Sequence, residues 1–427
     1  MLGFDVDFKR HRGILGMQQF KNDYGGQYID GQKALTTSFT SLTTSSIYIG
    51  DMVGALISGP LNDTLGRKTV LWIASFLVLA GGIVQVADTH YEGVIVLGYK
   101  LPMGGLIILP LAMFIWLPFI PESPTWYVFR GKTESASKSL RKIHRNEAGY
   151  DPSADIAFLE QAKEYEEEQA SASSWKSLLF DKIERKKLLW AAGGMYAQQI
   201  CGIIFFYNYG VVFAEELGVS QPFTITLITM ILQIFAVAAS VLLGNKLSRR
   251  TNLLVSTSMI FVAFMIIGGI GTQKNLSTAS KYIIVVFSYV VICAYNFGQG
   301  PLTYAITREL SVGVNQNKIM SVSVVALYFF LWLISFTAPY LYTNAGLGPM
   351  VCFVYAGLTL TSLAWVWFCV GETQGRTQLE IAAFFTEGVP ARKWKTHVFA
   401  GIEHGGKEAL DVEEKANVHH VEVGDAA

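Results

Sequence analysis

The chain has 427 residues, of which 51% are hydrophobic and 15% charged, and 33 basic residues balance 33 acidic ones. That charged share lies well below the roughly 25% of a soluble globular domain, and a zero net charge gives no electrostatic footing for nucleic acid. The charges sit in short clusters between long apolar runs, which excludes an ordinary soluble domain and reads as loops between membrane spans.

The opening, MLGFDVDFKRHRG, has no apolar core ahead of its charges, so no cleavable signal peptide is read there. A membrane helix needs ~20 mostly apolar residues to cross ~30 Å of hydrocarbon. Nine runs meet that need: 37–61, 70–87, 94–120, 188–212, 223–243, 253–271, 282–304, 319–341 and 350–370. Arg67 and Lys68 follow the first run, Lys246, Arg249 and Arg250 the fifth, Arg308 and Lys318 flank the loop after the seventh, and Arg376, Arg392, Lys393 and Lys395 follow the ninth. Basic loops stay on the cytoplasmic side, so these loops, the segment 122–187 and the C-terminus are expected there. Segment 122–187 is highly charged, yet Ile156, Leu159 and Ala162 keep helical spacing. It is predicted to form short amphipathic helices between two bundles, with a solvated linker as the alternative. From Gly388 the tail has no sustained periodicity and is expected to be disordered. The expected division is therefore 1–121, 122–187, 188–371 and 372–427.

Cys201, Cys293, Cys352 and Cys369 each lie in an apolar run, where thiols act as small packing residues, and no CxxC or His-Cys cluster suggests a metal. No nucleophile, base or metal constellation suggests an enzyme, and no cofactor is expected.

Five motifs stand in a fixed order: GPLNDTLGRK at 59–68, PESPTW at 121–126, QQICG at 198–202, GQGP at 298–301 followed by Arg308 and Glu309, and ETQGRT at 372–377. Together they resemble the signatures of the sugar porter family of the major facilitator superfamily, fungal type, over about residues 36–380. The resemblance implies an all-α membrane fold of major facilitator type, with a complete C-terminal six-helix half. The N-terminal half is incomplete. Val94–Gly98 resembles the opening of the family's span four, yet the chain passes at Gly98-Tyr99 into a segment resembling span six, and spans four, five and most of span one have no counterpart.

The resemblance also implies the activity: transport of a hexose or α-glucoside across the bilayer, with coupled protons as a possible second partner, at the plasma membrane. The alternatives are a sensor or regulatory protein that binds sugar without moving it, and an inactive truncated form. Substrate-binding candidates are Gln198, Gln199, Asn296, Gln299 and Tyr209. Gln198, Gly202, Phe205 and Tyr209 are spaced as one helix face, and Asn296, Gln299, Gly300 and Thr303 form a second stripe. Amides in hydrocarbon must find partners. They can serve sugar hydroxyls, or bond helix to helix alone. Asp5 lies where the family carries its proton-coupling Asp. Asp63, Arg67, Lys68, Glu122, Arg249, Arg250, Glu309, Glu372 and Arg376 are the expected cytoplasmic gating network. Departures from the family are Thr125 in PESPTW, Ile204 in place of Asn, Gln299 in place of Trp, and Leu327-Tyr328 in place of Asn-Trp. The identity of the sugar is therefore not carried over.

Overall fold

In a computed structural model the protein is almost wholly helical; the structure describes residues 18–29, 32–87, 107–145, 147, 149–216, 222–244, 247–273, 275–397 and 399. The chain divides into two compact units. One comprises Met1–Ser173, Ile204–Leu227 and Leu331–Leu347, the other Ser174–Ile203, Ile228–Phe330 and Gly348–Ala427.

In the first unit, α1 (Gln18–Tyr24) precedes an antiparallel hairpin of β1 (Gln27–Ile29) and β2 (Gln32–Ala34), with Gln27 opposite Ala34. The long helix α2 (Thr37–Leu65) starts where the Thr36 side chain accepts from the Phe39 N–H, and it ends at Gly66, whose φ of 89° only glycine adopts freely. Its 29 residues, at ~1.5 Å each, exceed the ~30 Å of hydrocarbon. Next come α3 (Arg67–Ala87) and α4 (Ile108–Trp116), which pack on each other. α4 is part of the expected run 94–120; the remainder of that run up to residue 106, with the join at Gly98-Tyr99, lies outside the described residues.

The expected amphipathic helices after residue 122 are α5 (Pro124–Phe129), α6 (Thr133–Ile143), α7 (Ser153–Ala172) and α8 (Trp175–Phe180). On α6, Ala136, Ser139 and Leu140 turn inward while Glu134 and Lys138 pair in solvent at 2.7 Å. Before α7, the Asp151 carboxylate accepts from the Ser153 hydroxyl (2.8 Å) and N–H (3.2 Å), which hold its pKa below the usual range.

Further along run α9 (Lys182–Ile200), α10 (Ile203–Glu216), α11 (Pro222–Leu243), α12 (Arg249–Gly271), α13 (Thr278–Ala294), a π-turn (Tyr295–Gln299), α14 (Gly300–Leu310), α15 (Gln316–Pro339), a second π-turn (Tyr340–Asn344), α16 (Val351–Cys369) and α17 (Gln378–Thr386). In the second unit α12 packs against α13 and α16, and α9 against α14 and α16. Leu253, Ile260, Phe264 and Ile267 on α12 are fully buried, while Val255, Met259 and Val262 on its other side are exposed. A helix apolar on every side requires either a protein interior or lipid around it, and these exposed faces call for lipid. Among the described residues five helices are long and apolar enough to span a bilayer, or six with α9 and α10 taken together. Of the remaining expected runs, α2 carries the hydroxyl-rich opening TSFTSLTTSS, and Ile108–Phe119 and Leu227–Leu243 are shorter apolar helices.

One expectation is corrected: the tail beyond Gly388 is packed as far as His397, and Phe399 is buried 4.8 Å from the Phe384 ring. A 3-10 turn (Ala391–Lys393) delivers Trp394 into full burial, stacked on Phe384 at 4.7 Å and edge-on to Phe385. The Arg376 guanidinium donates to the carbonyls of Trp394 (2.7 Å), Lys395 (3.3 Å) and His397 (2.9 Å). One large ring and one cation anchor this segment, and neither requires a periodic sequence. Residues 400–427 lie outside the described residues.

Candidate functional site

Polar side chains gather where α9 ends against α14 in the second unit. α9 stops at Cys201 because Gly202 takes φ 73°, and a Cβ on Gly202 would run into the Tyr355 ring. The helix is thus broken, and the single face expected from Gln198 to Tyr209 does not exist. Gln198 and Gln199 end α9 in the second unit, whereas Tyr209 lies on α10 in the first.

Gln198 donates from Nε2 to the Gly300 carbonyl (2.7 Å) and the Gln299 carbonyl (3.3 Å). Those carbonyls belong to the π-turn and the start of α14, where Pro301 contributes no N–H to the helix ladder. Gln199 donates from Nε2 to Gln198 Oε1 at 3.2 Å. Its own Oε1 is buried and has no partner among the described residues. A buried carbonyl without a donor costs roughly 1–3 kcal/mol, so this acceptor is suited to a hydroxyl from outside the protein.

The π-turn also shifts the phase of the second stripe. Asn296 donates back to the Ile292 carbonyl of its own helix at 2.8 Å. Gln299, almost wholly buried, donates to Thr257 Oγ1 on α12 (2.5 Å) and Ser362 Oγ on α16 (3.2 Å). Thr257 and Ser362, absent from the sequence reading, complete a polar triad binding three elements. Isolated hydroxyls in apolar helices carry no distinguishing pattern, since they also bond their own backbone.

The first unit has its own buried polar cluster. Tyr209 donates to the Ser335 carbonyl (3.0 Å) and shares a hydrogen bond of 2.5 Å with Thr44. Asn208 donates to Ser335 Oγ at 2.8 Å, its Oδ1 lacks a partner among the described residues, and Ser41 donates to the Phe336 carbonyl. Asn208 and Ser335 were likewise not singled out from sequence.

The charge network takes the same form in each unit. In the first, both Glu122 carboxylate oxygens accept from the Lys68 N–H at 3.1 Å, and one accepts from the Ser123 N–H at 3.0 Å. This places a carboxylate on the N-terminus of α3, where the helix dipole favours it. Trp126 Nε1 (3.1 Å) and Arg130 Nη2 (2.9 Å) donate to the Asp63 carbonyl. Lys68 donates its ammonium to the Pro118 carbonyl at 3.4 Å. Asp63 and Arg67 are exposed and form no ion pair among the described residues. In the second unit, Glu372 accepts from the Arg249 N–H (3.1 Å), the Gln374 N–H (3.3 Å) and the Ser248 hydroxyl, at the N-terminus of α12. Arg249 pairs with Glu309. Arg250 donates to the Trp367 carbonyl at 3.0 Å and lies 5.4 Å from that ring. Arg376 pairs with Glu380 at 2.8 Å. Asp5 lies outside the described residues.

Lipid-facing helices, a broken helix opening on buried amides and capped charged turns define a polytopic membrane transporter of major facilitator fold. The xylose transporter XylE from E. coli, in a partially occluded inward-open conformation, superposes with a TM-score of 0.67 at 15% identity, covering 88% of this chain and 97% of that one. The family profile described as Sugar (and other) transporter matches residues 4–98 and 97–385, so the chain belongs to the sugar transporter family. The two matched stretches meet at 97–98, beside the join read at Gly98-Tyr99. The probable glucose transporter rco-3 of Neurospora crassa is 24% identical over 87% of this chain and 75% of its own length. The high glucose sensor RGT2 of Saccharomyces cerevisiae is 23% identical over 85% of this chain and 57% of its own length.

Proposed function

We propose that this chain binds a hexose or an α-glucoside through Gln198 and Gln199 and that, in its present form, it does not couple sugar movement to a proton gradient. The observation carrying the first part is the Oε1 of Gln199, without a partner among the described residues and held in place by the Gln199–Gln198–Gly300 chain of hydrogen bonds. A sugar hydroxyl satisfies that acceptor, and neighbouring aromatic rings can cover sugar C–H faces. Asn296 and Tyr209 are secondary candidates, and Gln299 holds the wall. The second part rests on Asp5. Asp7, Lys9, Arg10 and Arg12 follow it directly, and charges of that kind cost ~2.5–3.5 kcal/mol each at the centre of a membrane helix, which disfavours a span carrying Asp5 into the bilayer.

We place the chain in the plasma membrane, as the family resemblance implies, and the Lys and Arg distribution supports a cytoplasmic C-terminus. A second reading, sugar sensing without transport, is favoured by the match to a glucose sensor. The purified chain in liposomes decides between them. Sugar-dependent thermal stabilisation with no uptake supports sensing. Saturable uptake that ignores a pH gradient supports facilitated transport. Uptake that rises with an inward proton gradient and vanishes in Asp5→Asn overturns the uncoupled reading.

A further inference from the structure

We infer that the short helix α8 (Trp175–Phe180) is a membrane-interface anchor, docking on the lipid leaflet at the N-terminal end of α9. α8 turns Leu178 fully inward, and Ser177 meets Asn315 at 2.9 Å. Trp175 (55% exposed), Leu179 (52%) and Phe180 (76%) point the other way. With helical spacing, Trp175, Lys176, Leu179 and Phe180 share one outer arc. Three large apolar side chains on a six-residue helix is more than scattered surface exposure explains.

What covers this arc follows from the next helix. Asp181 caps α9 by accepting from the Ile183 N–H at 2.8 Å, so α8 and α9 are joined without a spacer. Lys182, Arg185 and Leu189 then fall at i, i+3 and i+7, one face of α9, and all three are exposed. This face passes from cations to an apolar residue within two turns, the order met on crossing from lipid headgroups into acyl chains. α8 packs on α9, so its apolar arc stands at the level of Lys182 and Arg185 and continues the lipid-facing surface of the span. Around it, Lys176, Lys182 and Arg185 outnumber the exposed Asp181, which suits anionic headgroups. Lys318 lies 5.7 Å from the Trp175 ring. A Trp with one apolar end and one wet end, flanked by lysines, is the preferred residue of the membrane–water boundary.

The test uses the full chain, with its native cysteines replaced, in vesicles of phosphatidylcholine alone or mixed with phosphatidylserine. A nitroxide is attached at Leu179→Cys or Phe180→Cys, with Leu189→Cys as the lipid reference and Lys138→Cys on α6 as the water reference. Labels at 179 and 180 should favour oxygen over a water-soluble nickel chelate and report a depth of about 5–10 Å below the headgroups. They should also sit deeper with phosphatidylserine present. Nickel accessibility equal to that at 138 overturns the proposal. Equal depth in both vesicles overturns the role given to the basic rim. In the unlabelled chain, brominated lipid should quench a component of Trp fluorescence that is missing in Trp175→Phe; identical quenching in the two proteins also counts against the anchor.

Discussion

At the residue scale, three buried amides with similar sequence credentials take three different roles. Gln199 keeps an acceptor without a partner among the described residues, Gln198 accepts from Gln199 and holds it, and Gln299 joins α12 to α16. Gln199→Ala should weaken sugar binding by roughly 1–3 kcal/mol, the cost of an unmade buried hydrogen bond; titration calorimetry with a panel of hexoses and α-glucosides reads it. Gln299→Leu should behave differently, lowering thermal stability by a similar roughly 1–3 kcal/mol while leaving sugar affinity within twofold. A loss of affinity without a loss of stability would return Gln299 to the pocket. Gly202→Ala combines a left-handed backbone with a collision against Tyr355, and should cost at least about 1–3 kcal/mol in thermal unfolding. The sequence made Gln198 and Gln199 legible because amides stand out in hydrocarbon. It hid the break at Gly202, because a membrane-helix glycine reads equally as close packing, and only the left-handed φ separates the two.

Elements were legible to the extent that apolar runs define them. The helices of 122–187 were also legible, since Ile156, Leu159 and Ala162 kept their spacing. Two features were not. The π-turn at Tyr295–Gln299 lies ahead of Pro301, and a proline in an apolar run predicts a kink without fixing how the ladder widens. The packed tail was missed because Trp394 stands among Arg392, Lys393 and Lys395 with no repeat around it. Trp394→Ala should destabilise the second unit by about 3–5 kcal/mol, as for other buried aromatic truncations, in a melt followed by tryptophan fluorescence. The capping carboxylates belong to this scale too. Glu122→Ala and Glu372→Ala should each cost about 0.5–2 kcal/mol, and the Gln variants less, because an acceptor oxygen remains. Equal losses in Ala and Gln variants would mean that charge at the helix N-terminus, and not the hydrogen bonds, carries the effect.

At the scale of the whole molecule, the prediction concerns sidedness. Reporter fusions at Ala427 and at Gly131, in the turn between α5 and α6, should both report cytoplasm. A luminal signal at either would reverse the orientation drawn from Arg67, Lys68, Arg249 and Arg250. Fold class was readable from nine apolar runs and five ordered motifs, and the two-piece family match meets beside the join read at Gly98-Tyr99. The division into two compact units was not readable, because three of its five boundaries, at 203/204, 227/228 and 330/331, fall within helices α10, α11 and α15. Apolar runs report where a helix crosses, and say nothing about which neighbours each half of it touches.

The paired glutamate caps set a timetable for synthesis. Glu122 closes on Lys68 across 54 residues, and Glu372 closes on Arg249 across 123. At ~5–20 residues per second, the first turn waits roughly 3–11 s for its carboxylate and the second roughly 6–25 s. During the longer wait the N-terminus of α12 has only its local cap, the Ser248 hydroxyl accepting from the Thr251 N–H, and lacks the Glu372 carboxylate while α13 to α16 are still emerging. A ribosome halted between residues 250 and 372 therefore releases a chain whose first capped turn is complete and whose second cannot close. Such nascent chains are the ones that membrane chaperones should hold longest.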